Sequence, residues 1–89
     1  MRAALERFLE SDVQGSAAIT ADILEALDQI ESGEVTTWEM TGNAHTLVLT
    51  PEGAEIQPLW TAGEGAKPRR VTLAELRTGL ERWLERLKE

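Results

Sequence analysis

The sequence predicts an α+β domain of order α-α-β-β-β-α, a three-stranded antiparallel meander with helices packed mainly on one face. Three observations carry that reading. Two turn signatures stand close together between Trp38 and Trp60, each flanked by short segments rich in β-formers. Apolar residues recur at helical spacing on both sides of this stretch. The chain has 89 residues, enough for one domain with a single small core.

Residues 2–10 read as a short helix with Leu5, Phe8 and Leu9 on one side, and 11–16 as a break, because Ser11, Asp12 and Ser16 compete for backbone hydrogen bonds around Gly15. A longer helix follows with Thr20 as N-cap, Ile23, Leu24, Leu27 and Ile30 as its buried stripe, and Gly33 as a left-handed C-cap. Its Asp22, Glu25 and Asp28 then face water.

In the meander, Gly42 and Asn43 form a two-residue loop, which sets Met40 opposite His45 and Trp38 opposite Leu47. A three-residue loop at Pro51-Glu52-Gly53 sets Val48 against Ile56, on the face opposite Leu47 and Leu49. Either a bulge at Gly53 alters that register, or Val48 and Ile56 form a small apolar patch beside Trp60; the patch is the favoured reading. Residues 61–70 read as a loop with two glycines and a proline. Gly63, Gly65 and Lys67 do not have phosphate-loop spacing, and Pro68 stands where a hydroxyl and a helix are required. The last helix opens on a capping box, Thr72 with Glu75, and carries Leu73, Leu76, Leu80, Trp83, Leu84 and Leu87 as its apolar stripe. Gly79 within it marks a close approach by another element.

Composition narrows the chemistry. There is no cysteine and one histidine, His45, so neither a disulfide framework nor a thiolate or histidine-rich metal site is expected, and no cofactor. No apolar run approaches the roughly 20 residues of a membrane span, and the charged start Met1-Arg2-Ala3-Ala4-Leu5-Glu6 does not resemble a secretory signal; the expected location is cytoplasmic. The net charge of −7 is unevenly placed, with −9 on residues 1–57 and +2 on residues 58–89. An acidic total disfavours nucleic-acid binding, which rests on neutralising phosphates. The alternative that remains is a local basic strip of Lys67, Arg69, Arg70, Arg77, Arg82 and Arg86, taking nucleic acid or another anion.

No catalytic motif is present. His45 is the one side chain that exchanges a proton near neutral pH, and the neighbour this register gives it, Met40, is no proton partner, so His45 is read as structural and the protein as not an enzyme. Two surfaces are candidates for protein binding. Asp22, Glu25 and Asp28 form an acidic stripe suited to a basic protein partner, and Val48, Ile56 and Trp60 form a patch suited to a homodimer.

The run Trp38-Glu39-Met40-Thr41-Gly42-Asn43-Ala44-His45-Thr46-Leu47, followed by a strand and a final helix with Leu76 and Trp83, resembles small bacterial proteins of the YacL type. The likeness spans roughly residues 19–87 and implies a helix, a tryptophan, a glycine-containing turn, a strand pair and a closing amphipathic helix. That family brings no established activity and no catalytic residues to this chain. The functional expectation is a small, acidic, non-enzymatic protein-binding module.

Overall fold

The computed structural model describes residues 2–59 and 68–88, with side chains from Leu5 onward. Trp60 and the 61–67 part of the predicted loop, Lys67 included, lie outside the described residues. The chain runs α1 (Arg2–Phe8), a π-helical turn (Leu9–Val13), α2 (Ala17–Ser32), β1 (Trp38–Thr41), β2 (His45–Thr50), β3 (Gly53–Pro58), β4 (Arg69–Val71) and α3 (Leu73–Leu87). The class is α+β. The sheet has four antiparallel strands in the order β1-β2-β3-β4, one more than the sequence predicts. The extra strand is Arg69–Val71, three residues that contain no alternation long enough to be read as a strand.

Residues 11–16 are not simply a break. Gln14 N–H donates to the Leu9 carbonyl, five residues back, so the helix widens into a π turn before it ends. Leu9 and Val13 are buried there beside Asp12. The following helix begins four residues earlier than predicted, because the Ser16 side chain accepts from Ile19 N–H and caps it, while Thr20 is buried inside the first turn. Gly33 closes that helix at φ +84°. In α3 the Thr72 and Glu75 capping box is formed in both directions.

Both hairpin registers differ from the predicted ones. β1 pairs Met40 with Leu47 and Trp38 with Leu49, a shift of two residues that leaves the inward face unchanged. β3 pairs Leu47 with Ile56 and Leu49 with Ala54, a shift of one, which turns the whole strand over. The loop at the second hairpin is Pro51-Glu52 alone, since Gly53 joins the ladder opposite Thr50 at φ +148°, a conformation that L residues rarely adopt. The Val48 and Ile56 patch therefore does not exist. Ile56 is 1% exposed and lies in the core with Leu47, Leu49, Ala54 and Val71, whereas Val48 is on the opposite face between Glu39 and Glu55.

The core fills the space between that inward sheet face and the helices. Phe8, Leu9 and Val13 come from the first helical segment, Ile23, Leu27 and Ile30 from α2, and Leu76 and Leu80 from α3. Trp83 packs on its margin, half-buried, and donates its indole N–H to the Gln14 carbonyl at 2.7 Å. Gly79 lets α1 approach, because a Cβ built there falls 2.7 Å from Leu5 Cδ2. Across the two long helices, Arg77 of α3 reaches Asp28 at 2.8 Å and Glu31 at 2.6 Å on α2. Those carboxylates hold the guanidinium more firmly protonated, Asp28 first.

The register separates two otherwise similar residues. Ile56→Ala is expected to lower the free energy of unfolding by about 2–5 kcal/mol in urea titration, as a buried large-to-small change does. Val48→Ala is expected to cost less than about 1 kcal/mol. Equal costs would contradict the register.

Candidate functional site, the buried Asp12 and His45 pair

The π turn aims one carboxylate into the protein. Phe8, Leu9 and Val13 are all buried, and the spacing that keeps them inward brings Asp12 with them, its side chain fully enclosed. One oxygen, Oδ2, accepts the backbone N–H groups of Ala44 at 3.0 Å and His45 at 2.9 Å. The other, Oδ1, accepts the His45 imidazole at 2.8 Å and lies against the Ser11 hydroxyl. Ser11 Oγ is also 2.7 Å from the Arg7 carbonyl, so its single proton serves one acceptor at a time. Asn43 completes the junction by donating its amide to the Ser11 carbonyl at 2.9 Å.

This junction explains the first hairpin. Gly42 N–H donates to the His45 carbonyl at 2.9 Å, but the N–H of His45 goes to Asp12 instead of returning the bond. Ala44 N–H is likewise spent on Asp12; in the register read from sequence it would face Thr41 in the ladder. Gly42 is needed for proximity, not for positive φ. A Cβ placed on it falls 2.8 Å from Asp12 Cβ and still closer to Oδ2, whereas its φ is ordinary.

The electrostatics follow from this enclosure. Burial pushes the Asp12 carboxyl up, and the hydrogen bonds from the His45 ring, the Ser11 hydroxyl and the two backbone N–H groups outweigh it, so the group lies below its ordinary 3.8. An ionised carboxylate only accepts, which assigns the proton of this bond to Nδ1 and leaves Nε2 as the acceptor in a neutral ring. The ring is 16% exposed and stands edge-on to Phe8, centroids 6.1 Å apart.

Ser11, Asp12 and His45 are the residue types of a hydrolytic triad, yet their arrangement is not one. In a triad the carboxylate and the hydroxyl sit on opposite ring nitrogens, so that the base takes the nucleophile's proton. Here Ser11 Oγ lies on the Asp12 side, 3.4 Å from the same Nδ1. The register read from sequence sets His45 opposite Met40, and Asp12, 33 residues away, lies outside any local pattern around the histidine. One trace was present: if Val13 extends the stripe of Phe8 and Leu9, Asp12 falls inside it.

The surface candidates are dispersed. Asp22 and Glu25 are exposed and line a shallow depression of about 270 Å³ with Ala26, Gln29 and Trp38. Asp28 is not part of that strip, being turned toward α3 and paired with Arg77. Ile56 is core and Val48 stands apart from it. Of the basic strip, Arg77 is held by Asp28 and Glu31, and Arg70 lies 3.4 Å from Glu55. Glu55 titrates below its ordinary range through the Gln57 amide first and then Arg70. Arg69, Arg82 and Arg86 are exposed. Among the described residues no group of three or more His, Cys, Asp or Glu side chains is placed to hold a metal, and no helix is long and apolar enough to cross a membrane.

Two outcomes test the junction. Gly42→Ala is expected to destabilise the fold by about 1–3 kcal/mol, since Asp12 is fixed from several sides and cannot retreat. For Asp12 the folded value is depressed, so its contribution is complete above its unfolded value of 3.8 and is lost as pH falls through the lower folded value. Urea titrations at pH 7 and in that acid range should show wild type losing stability that Asp12→Asn does not lose; parallel pH curves would refute the assignment. No family model, no curated protein and no solved structure matches this chain.

Proposed function

We propose that the protein is a non-enzymatic, homodimeric protein-binding module whose acidic α2 strip engages a basic protein partner. The observation that carries this reading is the setting of Asp22 and Glu25, exposed side by side next to the half-buried ring of Trp38, with no ion pair among the described residues. A tryptophan flanked by carboxylates suits a lysine or arginine side chain, which gains from both the charge and the aromatic ring. The acidic field of the first 57 residues, −9, steers such a partner toward the surface.

The non-enzymatic part of the reading is supported by the use of the one proton-exchanging pair. Asp12 spends its lone pairs on two backbone N–H groups, a ring and a hydroxyl, which is what a structural junction needs. Binding of nucleic acid or another anion by the basic residues is the weaker reading, because Arg70 and Arg77 already have carboxylate neighbours.

The test is affinity capture from lysate of the source cells with three baits: wild type, Asp22→Lys with Glu25→Lys, and Asp28→Lys. A basic protein retained by wild type and by the Asp28 variant, released by salt and lost with the double substitution, is the expected result. Its affinity should fall at least about tenfold in the double variant, as for a reversed charge pair at a partly desolvated rim. Retention by all three baits, or by none, would remove the acidic strip from the function.

A further inference from the structure

We propose that the groove between α1 and α3 is the seam of the homodimer, closed by a second copy of this chain related by a two-fold axis running along the groove. The proposal rests on the homodimeric part of the reading above and is independent of the basic partner. The groove has a volume of about 350 Å³ and an apolar floor of Leu5, Leu9, Val71 and Trp83.

Beyond Gly79, where its two walls face each other, they carry opposite charge; Glu75 also lines the groove, nearer the start of α3. Glu6 and Glu10 line it from α1 and the π turn, and Arg82 and Arg86 line it from α3. All four are exposed, and none forms an ion pair among the described residues although they share one groove. Arg86 lies over the Trp83 ring, 5.8 Å from its centroid, which keeps an arginine and a tryptophan together at the rim, the pair of residue types most enriched at interface hot spots.

The directions of the helices fix the symmetry. Leu5 abuts Gly79, and further along both elements the Trp83 indole reaches the Gln14 carbonyl, so α1 and the π turn run beside α3 in the same sense. A two-fold axis along the groove exchanges its walls without changing height along it. Glu6 and Glu10 of each copy then face Arg82 and Arg86 of the other, and the joined rims close over the apolar floors. An axis across the groove would set carboxylate on carboxylate. Walls of opposite sign complement their own rotated image, and that property selects a second copy over a foreign helix.

Sedimentation equilibrium tests the seam. Wild type at about 100 µM, a concentration that populates any interface of ordinary strength, is expected to be a dimer that weakens as salt is raised. Arg82→Glu with Arg86→Glu, and separately Glu6→Arg with Glu10→Arg, should each raise the dissociation constant by about 100-fold through like-charge contact. An equimolar mixture of the two variants should recover a heterodimer. The substituted side chains are exposed, and far-UV circular dichroism reports whether each variant is folded. Should either fail to fold, Thr78→Glu, which puts a carboxylate on the exposed α3 wall that meets the acidic wall of the other copy, is expected to give a monomer. A wild-type monomer at this concentration overturns the proposal, as does a dimer that survives the charge reversals or Thr78→Glu. Neither result touches the α2 strip, so failure here is distinguishable from failure of the basic-partner reading.

Discussion

The enclosed carboxylate of Asp12 is the constraint on which the local geometry depends. Taking an ionised group out of water costs several kcal/mol unless nearly every lone pair is answered, and a domain of this size has a total stability of only about 5–13 kcal/mol. The protein meets that cost by committing the turn of the first hairpin to it. Ala44 and His45 N–H groups, the imidazole and the Ser11 hydroxyl converge on two oxygens. The donors are supplied by segments far apart in sequence. Removing the carboxylate would leave them enclosed and unanswered, so the fold needs Asp12 as much as Asp12 needs them.

From this junction the arrangement of the first third of the chain follows. The π turn exists where a helix must carry a polar side chain inward without losing Leu9 and Val13 from the core. It ends in Gln14, held at φ +53°, whose carbonyl then receives the Trp83 indole. A non-glycine residue at positive φ costs of order 1–3 kcal/mol, and here the hydrogen bond to α3 and the short bond from Gln14 N–H to Leu9 hold it in place. The same stretch therefore anchors the first hairpin on one side and the last helix on the other.

The parts of the fold legible from sequence are those in which a local pattern has a local cause. Thr72 and Glu75 announce the last helix because both halves of a capping box are three residues apart, and Gly33 ends α2 because only a residue without a Cβ takes its φ cheaply. The errors arise where a distant group decides. Gly42 looks like the leading residue of a tight loop, but its constraint is the carboxylate of Asp12, so the hairpin closes one residue later on each strand. At the second hairpin Gly53 reads as the last residue of the loop but joins the ladder opposite Thr50, and that one-residue difference moves Ile56 from a surface patch to the core. Thr20 was a plausible cap whose place was taken by Ser16. Of the surface residues singled out, Asp22 and Glu25 lie where they were read, and Asp28 is drawn off by Arg77, a contact across 49 residues.

The opposed charge of the two halves takes a definite form once the chain is folded. Sequence places −9 before residue 58 and +2 after it, which invites the view of two competing surfaces, one acidic and one basic. Folding instead brings the halves side by side. Arg77 sits between Asp28 and Glu31, and Arg70 beside Glu55, so part of the basic complement is consumed in joining α3 to α2 and β4 to β3. Exposed pairs of this kind each contribute roughly 0–1 kcal/mol, too little to hold the fold but enough to orient α3 on α2. The charge left over is sorted by position. Among the described residues Asp22 and Glu25 have no ion-pair partner beside Trp38, whereas Glu6 and Glu10 face Arg82 and Arg86 across an apolar floor. The first arrangement has one sign and asks for a partner of the other. The second has both signs on one groove and is complementary to itself. A single small domain thus separates two kinds of charged surface by geometry, and its net charge conceals the difference.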